Sequence, residues 1–199
     1  MNKINKKYYL NEDVVEIAQD LLGKHLITNI QHKITAGIIV ETEAYHSNER
    51  ACHAYNNRRT PRTEVMFSSG GIAYVYQCYG IYYLFNIVTS IENKAEAVLI
   101  RAVQPIEGID SMLKRRNAKE VKHSITAGPG SLTQALGITK EHNKTDLTGN
   151  TIWLEDHRIT YSSKEIIASP RVGVSYAEED ANLPWRFRVK DSPWCSKAK

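Results

Sequence analysis

Short segments of regular apolar spacing alternate with polar turns along the whole chain. Three segments have the apolar spacing or composition of helices: one from Asn11 that Gly23 closes, a basic one near 108–121, and a short one at 132–136. Five segments have the apolar runs or period-two alternation of strands, at residues 25–29, 34–43, 72–77, 81–89 and 96–103. The remainder predicts short strands and turns. With no repeat or linker, the pattern predicts a single α+β domain over residues 1–199, an antiparallel or mixed curved β-sheet surrounded by short helices.

Residues 46–71 break this regularity. They are rich in polar, Gly, Pro and Arg residues and predict a long irregular loop, and a loop of that length inside a compact domain usually has a function. Seven of the 11 tyrosines lie between Tyr45 and Tyr83. Because tyrosine has a flat apolar face and a polar tip, this cluster suits a hydrated stacking surface better than a dry core.

Composition excludes several classes of protein. The net charge of +4 permits an anionic partner without requiring one. No apolar run approaches the roughly 20 residues of a membrane span, and residues 1–10 carry lysines without the apolar stretch of a secretory signal. The spacing of the three cysteines fits neither a disulfide framework nor a metal site, and the histidines of the loop have no partner at ligand spacing. We therefore expect a cytoplasmic protein without a bound metal.

Two polar residues lie within strands that are otherwise apolar. Arg101 interrupts the apolar segment 97–103, and Asn86 interrupts 84–88. A buried guanidinium or amide is costly unless it has partners, so each residue either pairs with another group or is kept for a ligand. The alternatives are an arginine that reaches solvent at a strand end and an asparagine bonded to a neighbouring loop.

A pair of carboxylates offers Arg101 a counter-ion. Alternation along the strand places Glu41, Glu43 and Tyr45 on one face, immediately before the long loop. A carboxylate at a strand end beside a loop is a common location for acid–base chemistry, although both carboxylates could also be solvated. The pattern alone does not choose between Glu41 and Glu43.

Segments spread over nearly the whole chain resemble the alkyladenine (3-methyladenine) DNA glycosylases. The most telling are VETEAY at 40–45, RRTPR at 58–62 and RVGV at 171–174. Further matching positions are His53, 66–67, 74–76, 79–82, Asn86, 99–102, 128–129, Leu132, 134–136, 186–187, Val189 and 192–194. Each segment alone would be weak, whereas the ordered set is specific.

The resemblance implies roles for individual residues. Glu43 would be the general base that activates water, with Arg101 as its partner and the main-chain carbonyl of Val172 as a third contact to that water. Asn86 would exclude unmodified guanine, and Tyr79 would fill the gap left in the duplex. The residues that would enclose the flipped base are Tyr45, His53 and Tyr76. The residues that would touch the DNA backbone are Arg58, Thr60 and Arg62.

The implied activity is that of a monofunctional DNA glycosylase in base excision repair. It would flip alkylated or deaminated purines out of double-stranded DNA and hydrolyse the N-glycosidic bond, with neither metal nor organic cofactor. We expect a monomer that acts on the nucleoid in the cytoplasm. Glu64 and Val65 would weaken the positive field of the backbone-contacting loop, and Ser131 stands where some relatives have lysine. The alternatives are a non-catalytic protein that binds DNA lesions and an enzyme or binding protein for RNA.

Overall fold

One antiparallel sheet organises the part of the chain that the structure, a computed structural model, describes, residues 2–197. Its strands are β1 (His25–Ile30), β2 (Lys33–His46), β3 (Ile72–Cys78), β4 (Tyr82–Val88), β5 (Glu96–Glu107), β6 (Ile152–Glu155), β7 (Ile166–Ser169) and β8 (Arg186–Val189). The strand order is β3-β4-β5-β2-β1-β6, and β8 pairs with both β2 and β7. All of these pairs are antiparallel, which confirms the predicted α+β class.

Short helices surround the sheet: α1 (Val14–Asp20), α2 (Ile109–Arg115) and α3 (Pro129–Leu136). The chain enters α1 at Asp13, whose carboxylate accepts the N–H groups of Val15 and Glu16 and so caps the helix. No helix of residues 2–197 has the length and apolar character needed to cross a membrane.

Helix α2 is shorter than the basic segment near 108–121 that the sequence predicted. Asn117 adopts a left-handed φ of 48°, and the N–H of Ala118 turns back to the carbonyl of Leu113 at 2.9 Å. This backbone pattern satisfies the last carbonyls of a helix and ends it. The basic residues after Arg116 therefore continue as an irregular segment.

The central strand β2 contains the main irregularity of the sheet. Its register with β5 shifts between Ile39 and Glu41 and again between Glu41 and Thr42, so that Arg101 has no direct partner in the ladder. Such bulges bend a strand and redirect side chains, and they are frequent next to active sites. Here the bulge lies where the three charged residues predicted from the sequence meet.

The predicted loop at 46–71 contains no α-helix or strand, but it is not loose. It contains two turns of 3₁₀ helix, Tyr55–Asn57 and Glu64–Phe67. Val65, Met66 and Phe67 are buried in a small second core, against Tyr74 of β3. The loop is therefore held against the sheet by its own apolar residues.

Candidate active site

A cavity of about 660 Å³ opens on the face of the sheet formed by β2, β3, β4 and β5. Alternate residues of these strands line it, as expected when one face of a sheet forms a wall. They are Glu43 and Tyr45 of β2, Tyr74, Tyr76 and Cys78 of β3, Tyr82, Leu84 and Asn86 of β4, and Ala97, Leu99 and Arg101 of β5. The cavity is also lined by Gln77 of β3, by segments 128–131 and 172–174, and by Ala51, His53, Arg62, Met66, Tyr79, Arg116 and Tyr176.

Glu43 is fully buried and accepts three hydrogen bonds. The N–H of Val172 donates to Oε1 at 2.8 Å, while the hydroxyl of Tyr45 and Nη1 of Arg101 donate to Oε2 at 2.9 and 3.2 Å. These donors compensate for the loss of water around the charge. Burial first, and then the adjacent Glu43 carboxylate, raise the pKa of Tyr45, whose hydroxyl therefore remains a donor.

Arg101 is 5% exposed and lies between the two carboxylates. Its Nε donates to Oε1 of Glu41 at 2.9 Å, and its Nη1 faces Glu43. Burial acts to lower the pKa of Arg101, but the charges of Glu43 and Glu41 outweigh that effect and raise the pKa. Arg101 is a strand residue with paired carboxylates and does not reach solvent at a strand end.

The structure separates the two carboxylates that the sequence pattern left equivalent. Glu43 lines the cavity, whereas Glu41 lies outside its lining and also accepts a bond from Arg186 at 2.8 Å. Both side chains are fully buried, so neither is a solvated surface carboxylate. Of the two, only Glu43 is placed to act on a molecule in the cavity.

Aromatic rings form one end of the cavity. The His53 ring packs edge-on to Tyr76 with centroids 4.7 Å apart, and its Nδ1 lies 2.9 Å from the hydroxyl of Tyr74. Its Nε2 faces the guanidinium of Arg62, which can only donate, so Nε2 is the acceptor and Nδ1 carries the proton. Burial, followed by the charge of Arg62, lowers the pKa of His53 to about 4, so the ring is neutral at pH 7.

Asn86 is also in the cavity wall, and it is 4% exposed. Its side-chain amide donates to the carbonyl of Tyr74 at 3.1 Å, across the ladder between β3 and β4. This bond orients the amide within the wall. The position agrees with a residue that inspects the edge of a bound base.

Tyr79 lies at the tip of the β3–β4 hairpin and is 87% exposed. It adopts a left-handed φ of 52° and is followed by Gly80 at φ 70°. Tyr79 lines the outer part of the cavity, and Ile81 beside it is 70% exposed. Exposed apolar side chains at a hairpin tip are unusual unless they meet a partner.

The residues predicted to touch the DNA backbone do not form one group. Arg58 is exposed and outside the cavity lining, and Thr60 caps a turn by bonding to Thr63. Arg62 lines the cavity instead, with its guanidinium 4.8 Å from the centre of the Tyr76 ring. A role limited to the backbone therefore describes Arg62 incompletely.

The three positions that depart from the family pattern have different surroundings. Glu64 forms an ion pair with Arg59 at 2.7 Å, and neither Arg58 nor Arg62 is its partner there. The side chain of Val65 is buried in the second core and is not part of a charged surface. Ser131 lines the cavity near the start of α3.

A buried ion pair that the sequence analysis missed supports this wall. Arg171 binds Glu49 through two bonds of 2.7 and 2.8 Å and also donates to the carbonyl of Ala44 at 2.9 Å. Its guanidinium lies 4.8 Å from the ring of Tyr45, and the next residue is Val172, which bonds Glu43. The only sequence signal was the position of Arg171 inside the matched RVGV segment.

Within residues 2–197, no group of three or more His, Cys, Asp or Glu side chains is arranged to hold a metal ion. Tyr74 is a second residue that the sequence analysis did not single out, although its spacing of two from Tyr76 put both rings on one strand face.

Comparisons with known proteins cover nearly the whole chain. A family model described as Methylpurine-DNA glycosylase matches residues 8–193. A protein of Chlamydia felis (strain Fe/C-56) is 50% identical over 184 residues, 92% of this chain and 93% of that protein. One of Clostridium novyi (strain NT) is 43% identical over 205 aligned residues, 99% of this chain and 100% of the relative. Both relatives bear the name "Putative 3-methyladenine DNA glycosylase".

Proposed function

The chain belongs to the methylpurine-DNA glycosylase family, and on this premise we propose that it is a monofunctional enzyme of base excision repair. As a DNA glycosylase it is a hydrolase of N-glycosyl bonds, and its substrate is DNA. The substrates proposed here are double-stranded DNA molecules with an alkylated or deaminated purine. We also propose that residues 1–199 form one domain that works as a monomer on nucleoid DNA in the cytoplasm.

The observation that carries the proposal is a buried carboxylate with fixed donors at the wall of a cavity large enough to admit a purine base. Glu43 is held by Arg101, Tyr45 and Val172, and its face toward the cavity is where a water molecule would be deprotonated. General base catalysis of this kind contributes about 10²–10⁴ in rate. Among residues 2–197, no lysine lines the cavity, which agrees with direct hydrolysis rather than a Schiff base.

The aromatic end of the cavity supports a damaged purine as the bound base. Tyr45, His53 and Tyr76 offer ring faces and edges, and each base stack is worth roughly 1–3 kcal/mol. Alkylation at N3 or N7 gives a cationic base that is attracted to electron-rich rings and is already a good leaving group. The orientation of Asn86 supports its proposed role in rejecting the 2-amino group of guanine.

Extrusion of the nucleotide from the duplex costs a few kcal/mol. The tip of the β3–β4 hairpin carries a side chain that could offset this cost. Tyr79 presents an exposed ring directly beside the cavity. Insertion of such a ring into the space left by the flipped base would stabilise the extrahelical state. Damaged or mispaired bases are easier to extrude, which adds to selectivity.

The alternative is a non-catalytic protein that shelters a flipped base. Binding alone would not need a buried carboxylate with three donors, one of them a guanidinium, at the cavity wall, because burying such charges is costly. The same carboxylate is well suited to activating water. This feature favours the enzyme.

The test uses duplex oligonucleotides that each contain one defined lesion. Replacing Glu43 by Gln keeps the shape of the side chain but removes the base, so single-turnover base release should fall by at least about 100-fold. Lesion-DNA affinity should remain within about threefold, because the cavity is unchanged. Glu96→Gln is the matched control, since Glu96 is equally buried but outside the cavity lining. Unchanged base release by Glu43→Gln would refute the assignment of Glu43 as the general base. Excision from an RNA substrate in preference to DNA would favour the RNA alternative.

A further inference from the structure

Glu43 and Arg101 belong to a cluster of four charges, of which the other two, Glu41 and Arg186, are not used directly by the proposed reaction. Glu41 is fully buried and Arg186 is 3% exposed. Glu41 bonds both Arg101 and Arg186, and neither Glu41 nor Arg186 lines the cavity. Two carboxylates and two guanidinium groups sum to zero charge, so the cluster as a whole is neutral. A neutral, fully bonded cluster is the form in which buried charges are tolerated.

Glu41 fixes the orientation of Arg101. Its Oε1 accepts from Nε of Arg101 at 2.9 Å, while Nη1 of the same guanidinium reaches Glu43 at 3.2 Å. The guanidinium is planar and rigid, so a bond that fixes Nε also fixes the direction of Nη1. The position of the donor at Glu43 therefore depends on Glu41.

The C-terminal segment in turn holds Glu41. The N–H of Ser196 donates to Oε2 of Glu41 at 2.6 Å, and the Ser196 hydroxyl donates to Oε1 at 2.8 Å. The oxygen of the same hydroxyl accepts from the guanidinium groups of Arg186 and Arg101 at 3.3 and 3.5 Å. Ser196 is 8% exposed and so belongs to the buried cluster rather than to a loose terminus.

We propose that Glu41 and Ser196 are positioning residues for the reaction at Glu43, acting through Arg101. This inference rests on the proposed function of Glu43 as the base that activates water. The segment around Ser196 thus helps to position Glu43 of β2 and Arg101 of β5, although it lies far from both in the sequence. Partners that orient a metal ligand in the same way, one step removed from the reacting atoms, change activity by about 10–100-fold when they are lost, and we expect an effect of that order here.

The alternative is that the cluster only stabilises the fold. A structural role predicts that loss of activity follows loss of stability. A positioning role predicts a lower rate of the chemical step at unchanged stability and unchanged DNA affinity. The two are separated by comparing single-turnover base release, lesion-DNA Kd and Tm in the same variants.

Ser196→Ala is the decisive variant, because it removes only the hydroxyl and keeps the backbone bond to Glu41. We expect base release to fall on the order of tenfold, with Kd within about threefold of the wild type. Ser196→Thr restores a hydroxyl and should recover most of the rate. Ser192→Ala is the matched control, since Ser192 lies in the same segment and its side chain bonds the N–H of Trp194 at 3.4 Å and the side chain of Cys195, neither of which belongs to the charged cluster.

Glu41→Gln is the second variant and should lower the rate further, because it removes the charge that Arg101 and Arg186 share. A wild-type rate in Ser196→Ala, or a threonine variant no better than alanine, would overturn the inference. So would a loss of rate that is matched by an equal loss of affinity. If Glu43→Gln still releases the base, the proposed function itself has failed; if Glu43→Gln is inactive and Ser196→Ala is normal, only the positioning role has failed.

Discussion

At the scale of single residues, the buried charges differ in how well they are paired. Arg171 and Glu49 form two short bonds, and Glu41 accepts from two arginines. Glu96 is just as buried, at 1% exposure, yet within residues 2–197 its Oε2 has no hydrogen-bond partner, and its Oε1 faces His46 at 3.2 Å. Burial is the main reason that the pKa of Glu96 is raised to about 7.

Glu96 should therefore make the protein less stable as the pH rises. The folded state keeps the proton up to about pH 7, whereas the unfolded chain releases it near the ordinary glutamate pKa of 4.5, so stability is lost between these values. Glu96→Gln removes this loss and should raise the free energy of unfolding at pH 8 by on the order of 1–3 kcal/mol, with little change at pH 4.5.

Denaturant unfolding of both proteins at pH 4.5 and pH 8 measures this difference. Glu92→Gln is the control, because Glu92 is exposed in the same connection before β5 and should change neither value. A variant that shows the same dependence on pH as the wild type would remove Glu96 as its cause.

At the scale of the element, the strands and the turn of the β3–β4 hairpin place their tyrosines in different surroundings. Period-two alternation places Tyr74 and Tyr76 in the cavity wall, and the turn that follows carries Tyr79 outward. A left-handed conformation costs a non-glycine residue roughly 1 kcal/mol. Strain of this kind is typical of functional sites, and the exposed ring beside the cavity is consistent with that interpretation.

We predict that Tyr79 acts as the wedge. Because the side chain is 87% exposed, Tyr79→Ala should change the free energy of unfolding by less than about 0.5 kcal/mol, unlike the roughly 3–5 kcal/mol for a core aromatic. Excision of a lesion should fall more when it is in a stable pair than when it is in a mismatch, where extrusion is already easy. Tyr79→Phe retains the ring and should behave like the wild type. Equal losses in the two contexts would show that another residue fills the gap.

At the scale of the whole molecule, the candidate site occupies one half of the sheet. The cavity lies on β2, β3, β4 and β5, and β6 forms the opposite edge beyond β1. The long loop, closed by its own small core, borders the aromatic end of the cavity and presents Arg58 to solvent. The net charge of only +4 means that affinity for DNA depends on where the positive groups lie.

We therefore predict that Arg58→Ala weakens binding to all DNA sequences alike and lowers the slope of log K against log salt by about one. Arg62→Ala should also reduce lesion excision, because Arg62 contacts both His53 and Tyr76. Arg158→Ala is the control, an exposed arginine after β6. The measurement is the DNA-binding constant of each variant over a series of salt concentrations. An unchanged slope in Arg58→Ala would exclude a phosphate contact at this residue.

Much of the fold was predictable from local patterns. Apolar runs and alternation located five of the eight strands, β1 to β5, and the helical spacing between Asn11 and Gly23 marked α1 within a few residues. The polar residues Arg101 and Asn86 stood out because they interrupt apolar strands, and both lie in the cavity wall. Helix α2 was predicted too long because its end depends on a single left-handed asparagine, a signal that composition does not show.

The sequence by itself determined the family, the sheet and the candidate residues, because apolar periodicity and matched segments are local properties of the chain. The resemblance had already pointed to Glu43, but only the tertiary structure showed why this carboxylate, and not Glu41, faces the cavity. The difference depends on the bulge between β2 and β5 and on two residues that bond Glu41 from far along the chain. These are Arg186 and Ser196, 145 and 155 positions after Glu41, whereas Glu43 lines the cavity. The partners of a buried charge follow from the path of the whole chain, and the spacing of residues within one strand does not contain that path.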